Sequence, residues 1–554
     1  MKVPEINEEV IPGTVHQVDL QGTLNVKHEA GHKDIVSIPQ PTRDPEDPLN
    51  WSKNRKLLCA IVLMIAVFSA DVLTTALSAA LLVIEEDTGI SLSTSNQGVG
   101  VQYLFFGWAN VIWQPLALTF GRRPVLLFGH LGCLMFTIWS AYVKSGGEWY
   151  VNRSLVGAFY GPIETTIEIC IADIYFLHER GNWIGAYCWT LFNIPFLSGI
   201  AAGFIASNLG WQWIQFIASI IGACCLIIMF FFLEETMYYR PPAQDELIDI
   251  IASTTHDMES AGGSLTAPVG EKADPTQVDI NQDPSDVESE EETVVYHRKT
   301  YMEKLKCWGF RHPDQPNHFW RSMYMPFLLV RFPAILYSGI TVGAVLSWFN
   351  VVNATIALIL AEPPYNFSTN MIGVMFVAPA IGITIGSYFS GWAGDSLAIW
   401  MARRNGGIRE PEHRIWIFLI PFILHPAGCI LYGVGANHGI PWIGLAFGLA
   451  MICSTFPIGS AIAINYIIDA YKEVSGDGLV TMICIRNSMG FGFSYGVTPW
   501  INACGVQDTY IALAFMGMFF WGISLVMIWW GKKMRKSSAR AYWQSVEKYG
   551  LKAH

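Results

Sequence analysis

Twelve long apolar runs occupy most of this chain and restrict its fold before any motif is read. They are Leu57–Ile84, Gly98–Leu118, Val125–Val143, Trp149–Tyr175, Ile184–Ile205, Ile214–Leu233, Phe327–Val352, Ile372–Gly391, Ile415–Tyr432, Ile443–Ile468, Leu479–Val497 and Ile511–Trp530. Each is near the ~20 residues that a helix needs to cross ~30 Å of hydrocarbon. Continuous apolarity, rather than a stripe on one face, is the pattern of spanning helices. Only 14% of the residues are charged and 52% are hydrophobic, against about 25% charged in a soluble domain. The expected fold class is therefore an all-α membrane protein with twelve transmembrane helices.

The loops set the expected orientation. Arg122/Arg123, His178–Arg180, Arg403/Arg404, Arg409, Arg414, Lys472 and Lys532–Lys536 all fall on one side of the runs. The opposite loops, such as 206–210 and 435–441, carry almost no Lys or Arg. The positive-inside rule places the basic loops and both termini in the cytoplasm. No cleavable signal is expected, since the first fifty residues are polar and the first run must itself direct insertion.

A polar stretch from Pro241 to Thr300, with the acidic run Asp283–Glu292, separates six runs from six. It has too few apolar residues to offset the entropy of ordering, so disorder is expected. The predicted organisation is a cytoplasmic segment over 1–56, a six-helix bundle over 57–236 and an acidic linker over 237–320. A second bundle over 321–531 and a basic tail over 532–554 complete it. Two joined halves are a common transporter plan.

The 11 cysteines are scattered, many inside apolar runs, and form no CxxC or Cys/His cluster. They read as small buried residues, with neither disulfide framework nor metal site. No GxxxxGK[ST] loop occurs, which excludes the usual ATP-driven machinery, and no hydrolase or kinase signature points to an enzyme. No cofactor or nucleic acid is expected. The expected partners are a small-molecule solute, protons and the lipid bilayer, with the chain a monomer.

The fourth run carries the most chemistry. Arg153, Gly157, Gly161, Glu164 and Glu168 recur at steps of 4, 4, 3 and 4, so they share one helical face. The two carboxyls attach ~6 Å apart along the axis. An acid at bilayer depth costs at least ~2.5 kcal/mol, so such residues usually face a cavity and act there. The pair reads as a proton carrier, a cation ligand or both; the alternative is a pair locked in hydrogen bonds or a salt bridge. Pro162 interrupts the helix beside Glu164 and frees a carbonyl, which suits a cavity wall. Asp71 lies mid-way along the first run under the same cost. Arg486, in the eleventh run, is a candidate counter-charge to the glutamates. Asn465 is an uncharged polar residue in the tenth run. Asn366-Phe-Ser368 follows the seventh run in a non-cytoplasmic loop and matches a glycan acceptor.

Several stretches resemble the major facilitator superfamily, in particular its fungal twelve-helix branch classed with drug:proton antiporters. They are Asp44-Pro-Glu-Asp-Pro-Leu-Asn-Trp-Ser-Lys, Phe120-Gly-Arg-Arg-Pro, Ile171-Ala-Asp-Ile-Tyr-Phe-Leu-His-Glu-Arg-Gly and Glu234-Glu-Thr. Gly394-Asp-Ser-Leu-Ala-Ile-Trp-Met-Ala-Arg-Arg-Asn-Gly looks like the yeast permease subgroup for histidinol, cations and polyamines. The resemblance implies two six-helix bundles rocking about a midplane site lined by helices 1, 4, 7 and 10. That puts Asp71, Glu164, Glu168 and Asn465 at the cavity. Arg153 and Gly157 match an Arg-x-x-x-Gly motif that the family associates with proton coupling.

The family's gating motif reads Gly-x-x-x-Asp-x-x-Gly-Arg. Gly121, Arg122 and Arg123 keep its end, but Gln114 and Leu118 hold its Gly and Asp positions, so the acid that would pair with the arginines is missing. In the second half Gly391 and Asp395 keep the spacing. The antiporter motif of helix 5 has Gly-Pro; here Phe196–Gly203 contains small residues and no proline, which leaves symport open.

The expected function is proton-coupled secondary active transport of a small cationic or amine-bearing solute across a fungal plasma membrane. Export of a toxin, drug or secondary metabolite by proton antiport is the alternative, and a non-transporting nutrient sensor signalling through the linker is a third.

Overall fold

The computed structural model describes residues 11–16, 28–29, 32–36, 38–39, 41–42, 44–238, 299–307 and 319–549. The disorder expected for 241–300 falls almost wholly outside these residues. Helices run in chain order: α1 Lys53–Thr75, α2 Leu81–Thr88, α3 Leu92–Trp108, α4 Asn110–Phe120, α5 Arg122–Ser140, α6 Gly146–Ile174, α7 Leu177–Leu209 and α8 Gln212–Phe232. Then follow α9 Tyr301–Lys304, α10 Phe319–Leu329, α11 Pro333–Ala361, α12 Thr369–Met375, α13 Val377–Tyr388, α14 Gly394–Arg404, α15 Leu419–Asn437, α16 Trp442–Ala470 and α17 Ser475–Tyr549. Every one of the twelve apolar runs is occupied by helix.

Among the described residues, nine helical stretches are long and apolar enough to cross a bilayer. The last spans 77 residues, roughly 115 Å at ~1.5 Å per residue, far beyond a bilayer's ~30 Å. Its path breaks at Gly505, where φ is 77°, a conformation that only glycine adopts without strain. The eleventh and twelfth runs lie on the two limbs. Two runs are absent from the nine: the second, which is shared by α3 and α4, of 17 and 11 residues, and the third, whose 19-residue helix α5 opens on Arg122 and Arg123.

Large apolar side chains face outward along these helices. Phe128, Ile220, Phe515 and Trp529 are each more than half exposed, which lipid tails satisfy and water would not. The polar side chains point inward: Asp71, Arg153, Glu164, Glu168, Asn465 and Arg486 are all buried.

The packing of α6 on α3 explains the fourth run's glycines. A Cβ at Gly161 would lie 2.8 Å from the Phe106 carbonyl, and one at Gly157 would strike the carbonyl of Gln102. The Cβ-free middle of that face is thus filled by the α3 backbone, as small residues at helical spacing allow. The helix runs through Pro162, whose ring packs towards Gly129 of α5, not into a cavity. A five-residue π-helical segment, Phe389–Ala393, joins α13 to α14. There Gly185 of α7 meets Gly391 so closely that a Cβ on Gly185 would be 3.0 Å from the Gly391 Cα.

Candidate solute site

Three of the predicted charged residues converge on one buried cavity of about 50 Å³. Asp71 reaches it from α1, Glu164 from α6 and Arg486 from α17. Aromatic rings complete the wall: Tyr103 and Phe106 of α3, Tyr160 of α6, Phe192 of α7 and Phe349 of α11. Pro195 of α7 also lines it. The chamber has room for a water or two but not for an organic solute, so the halves must part before one can enter.

Glu164 and Arg486 form a two-pronged ion pair. Nη1 donates to Oε1 at 2.8 Å, and Nη2 donates to Oε2. The side chains are 4% and 5% exposed. Paired hydrogen bonds of this kind fix geometry as well as charge. The pair also joins the first half of the chain to the second. Asp71 accepts a 2.6 Å hydrogen bond from the Tyr160 hydroxyl through Oδ1, while its buried Oδ2 has no hydrogen-bond partner. Phe106 stacks on Tyr160 with ring centroids 4.2 Å apart. Glu168 is buried with only the Tyr187 hydroxyl beside its carboxyl as a hydrogen-bonding neighbour, and no hydrogen bond of good geometry to either oxygen.

Three of the expected site residues are not on the cavity wall: Glu168, buried one helical turn beyond Glu164, and Arg153 and Asn465. Arg153 is spent at the far end of α6, against Gln102 Oε1 at 3.3 Å, the Ser140 hydroxyl and the Trp149 ring at 4.4 Å. Asn465 donates to the Ala461 carbonyl of its own helix at 2.8 Å. Neither lines the cavity, and the tenth run contributes nothing to its wall. Helices of the second, fifth and eleventh runs stand there with those of the first, fourth and seventh. Tyr160 escaped the sequence reading although it lies four residues before Glu164 on the same face. Pro195 escaped it by one position, just ahead of the stretch searched for a proline.

The basic loops build a second charged layer. Gly121 turns the chain with φ 102° between α4 and α5. Arg122 is not without an acid: it pairs with Asp173 at the end of α6. Glu235 accepts from the backbone amides of Arg122 and Arg123 at 3.0 and 3.1 Å, a carboxylate capping the positive end of α5. Arg123 donates to the carbonyls of Phe230 (2.7 Å), Leu305 (2.9 Å) and Lys306 (3.1 Å). The expectation of a missing acid is thereby corrected, because the acids come from 173 and 235 and not from position 118. Neighbouring Glu234 binds Arg55 at 2.6 Å and Lys304 at 3.1 Å. Burial pushes its carboxyl up, but Arg55 and Lys304 outweigh burial and hold it below the ordinary glutamate value.

In the second half, Asp395 pairs with Arg414 and accepts from the Asn182 amide at 3.1 Å. Asp469 bridges Arg409 and Arg414, both at 3.1 Å, and faces Arg180 at 3.6 Å. Arg180 and Asn182 belong to α7, so this network ties the first half to the second beneath the cavity. Asn366 stands exposed after α11 with φ 49°.

A helical membrane scaffold around a buried, charged cavity defines a polytopic solute transporter. The chain belongs to the Major Facilitator Superfamily, whose profile matches residues 63–469; it is a transporter and not an enzyme. An uncharacterised MFS-type transporter of Schizosaccharomyces pombe is 28% identical, covering 98% of this chain and 95% of its own. Protein HOL1 of Saccharomyces cerevisiae is also 28% identical, over 97% of each chain. The MFS antiporter QDR3 of Candida albicans is 22% identical over 87% of this chain and 78% of its own. Among solved structures, the human organic anion transporter MFSD10 (TETRAN) superposes with a TM-score of 0.54 at 13% identity. It covers 84% of this chain and 99% of its own, a likeness of fold.

Proposed function

We propose that this protein is a proton-coupled secondary active transporter of a small cationic or amine-bearing organic solute. The observation that carries the reading is two carboxyls, Asp71 and Glu164, beside one guanidinium in a buried, aromatic-walled cavity, with a third carboxyl, Glu168, buried off the wall within the field of Glu164 and Arg486. With all four ionised the site holds excess negative charge, which is costly at membrane depth unless a cation or a proton offsets it. Aromatic faces beside the acids favour an organic cation by cation–π attraction. Glu168, with no hydrogen bond of good geometry to either oxygen, is the group best placed to take and release a proton. Glu164 and Asp71 are assigned to the solute, and Arg153 holds α6 against its neighbours.

On this reading the halves 57–236 and 321–531 rock about the cavity, joined by the 237–320 linker. The network at Asp395 and Asp469 and the arginines after Gly121 close the cytoplasmic end. The segments 1–56 and 532–554 lie in the cytoplasm, the bilayer is the plasma membrane, and Asn366 faces outward and takes a glycan. Antiport export of a lipophilic compound is the second reading. The apolar rings Phe106, Phe192 and Phe349 favour it, and QDR3 is named an antiporter.

The test is flux in proteoliposomes under an imposed pH gradient, with labelled putrescine as the cationic probe. Wild-type protein is expected to move putrescine with the gradient and Glu168→Gln to lose that dependence. Equal gradient-driven flux in both would refute proton coupling through Glu168.

A further inference from the structure

Arg486 stands in the wall of the cavity. Its side chain crosses from α17, after the linker, to Glu164 on α6, before it. The Arg486 Nε has no hydrogen-bond partner, so the guanidinium is held by Glu164 alone among the hydrogen bonds of its own nitrogens. Resting on the cationic-solute reading above, we propose that the Arg486 guanidinium is a tethered occupant of the solute's cation site. An incoming cation displaces it from Glu164, and the same exchange admits the solute and unties the two halves.

Charge bookkeeping favours a cation for this exchange. A cationic solute replaces one positive charge at Glu164 by another, so no buried carboxylate is left bare. A neutral solute of the same shape would leave Glu164 uncompensated, which buried sites tolerate poorly. Specificity for positive charge thus resides in the competitor as much as in the acid. A ligand shifts a conformational equilibrium only by its preference for one state. Here the state preferred is the one in which the α6–α17 bridge is already broken.

The experiment is equilibrium binding of butylguanidinium and of neutral butylurea to purified full-length protein. Wild type is compared with Arg486→Gln, Arg486→Lys and Glu164→Gln. Removing a competitor whose hold on the site is worth 1.4 kcal/mol or more raises affinity about tenfold or more. Arg486→Gln is therefore expected to bind butylguanidinium at least tenfold more tightly than wild type, without gain for butylurea. Arg486→Lys, which keeps the charge but loses the fork, should fall between, and it decides the matter if Arg486→Gln does not fold. If Glu164→Gln weakens butylguanidinium binding but neither Arg486 variant strengthens it, displacement is overturned while the cationic reading stands. If Glu164→Gln leaves that binding unchanged, the cationic reading itself falls.

A separate observation carries a second inference. Residues Ile11–His16 lie across the basic-loop end like a strap. Val15–His16 (β1) pairs antiparallel with Ile408–Arg409 (β2). Arg535 donates to the Pro12 carbonyl and, at 3.4 Å, to the Thr14 hydroxyl. Val15 packs with Ile38 and Leu177, and the Leu177 amide donates to the Ile38 carbonyl at 2.8 Å. Gly13, with φ 81°, lies so close to the chain at Ala470 that a Cβ would meet the Ala470 Cα at 2.7 Å. Leu177 precedes the linker; residues 408–409, 470 and 535 follow it. We infer that this segment is an autoinhibitory strap that holds the network around Asp469 shut, since that end cannot open while the strap bridges both halves. The test is the rate of maleimide labelling at Asn182→Cys, beside the network, as the increment over the chain without that substitution. Coupling of 1–3 kcal/mol corresponds to about fivefold or more. Deleting residues 1–16, or the strand-breaking Val15→Pro, should speed labelling by at least that factor. Unchanged or slower labelling in a folded variant would overturn the strap.

Discussion

The Glu164–Arg486 pair can be weighed by neutralising each partner and then both. Each side chain is about one-twentieth exposed, and one limb of the pair is 2.8 Å long. Taking charge centres ~4 Å apart and an effective dielectric of ~20, the attraction is about 4 kcal/mol. Glu164→Gln leaves a guanidinium buried without its carboxylate, and Arg486→Gln leaves the reverse. Either is expected to cost about 3–5 kcal/mol, whereas removing both charges together is often near neutral. The double variant should therefore recover most of the loss, with a coupling energy of about 3 kcal/mol or more. Denaturant unfolding of the four purified proteins in one detergent measures this, read from midpoint shifts. Single costs below about 1 kcal/mol, the range of exposed pairs, would refute burial of the bridge. Additive costs in the double variant would refute the pairing.

Four further outcomes follow from the geometry. Glu168→Gln should leave stability unchanged or slightly raised, because it removes a buried charge beside Glu164 and an amide can still accept from the Tyr187 hydroxyl; a large destabilisation would show that the carboxylate is paired. Gly157→Ala should lower the denaturation midpoint by the equivalent of about 1–3 kcal/mol, since its Cβ meets the Gln102 backbone and not a movable side chain; wild-type stability would refute the close α3–α6 contact. The depressed Glu234 contributes stability that is present above its unfolded value of about 4.3 and is lost as pH falls through its lower folded value. The stability gap between wild type and Glu234→Gln should accordingly close on acidification below that range, and a gap independent of pH would refute the assignment. Asn366→Gln should abolish any endoglycosidase-sensitive mobility shift in protein from a eukaryotic host; persistence of the shift would move the glycan elsewhere.

The layers of this structure differed in how far the sequence disclosed them, and the difference has a physical origin. Apolar runs report a helix's solvent directly, so all twelve were legible, as was the burial of Asp71, Glu164 and Glu168, whose cost in lipid marks them. Arg486 was legible as a counter-charge for the same reason. What the pattern along one helix cannot carry is which helix lies opposite. The glycines at 157 and 161 advertise a close approach but not its partner, and the partner proved to be α3. Arg122 found its acid at Asp173, contributed by α6, because the helix ends meet in space whatever stands at position 118. The sequence marks 532–554 only as a basic tail, yet α17 continues to Tyr549 and buries Arg535 completely against Glu412.

The same reasoning separates the two charged layers by what each can do. At the basic-loop end the acids are each met by more than one donor: Asp469 by three arginines, Asp395 by Arg414 and the Asn182 amide. Losing one contact there leaves others, so that layer suits holding two bodies together. At the cavity the balance is reversed, with one guanidinium against the two carboxyls of its wall and Glu168 buried behind them, and Asp71 Oδ2 has no hydrogen-bond partner. Unmet acceptors in a buried site are unfavourable until a donor or a positive charge meets them. On the proposed reading, the cavity is the layer that a proton or a cation would stabilise, and the network at Asp395 and Asp469 is the layer that would let go in response.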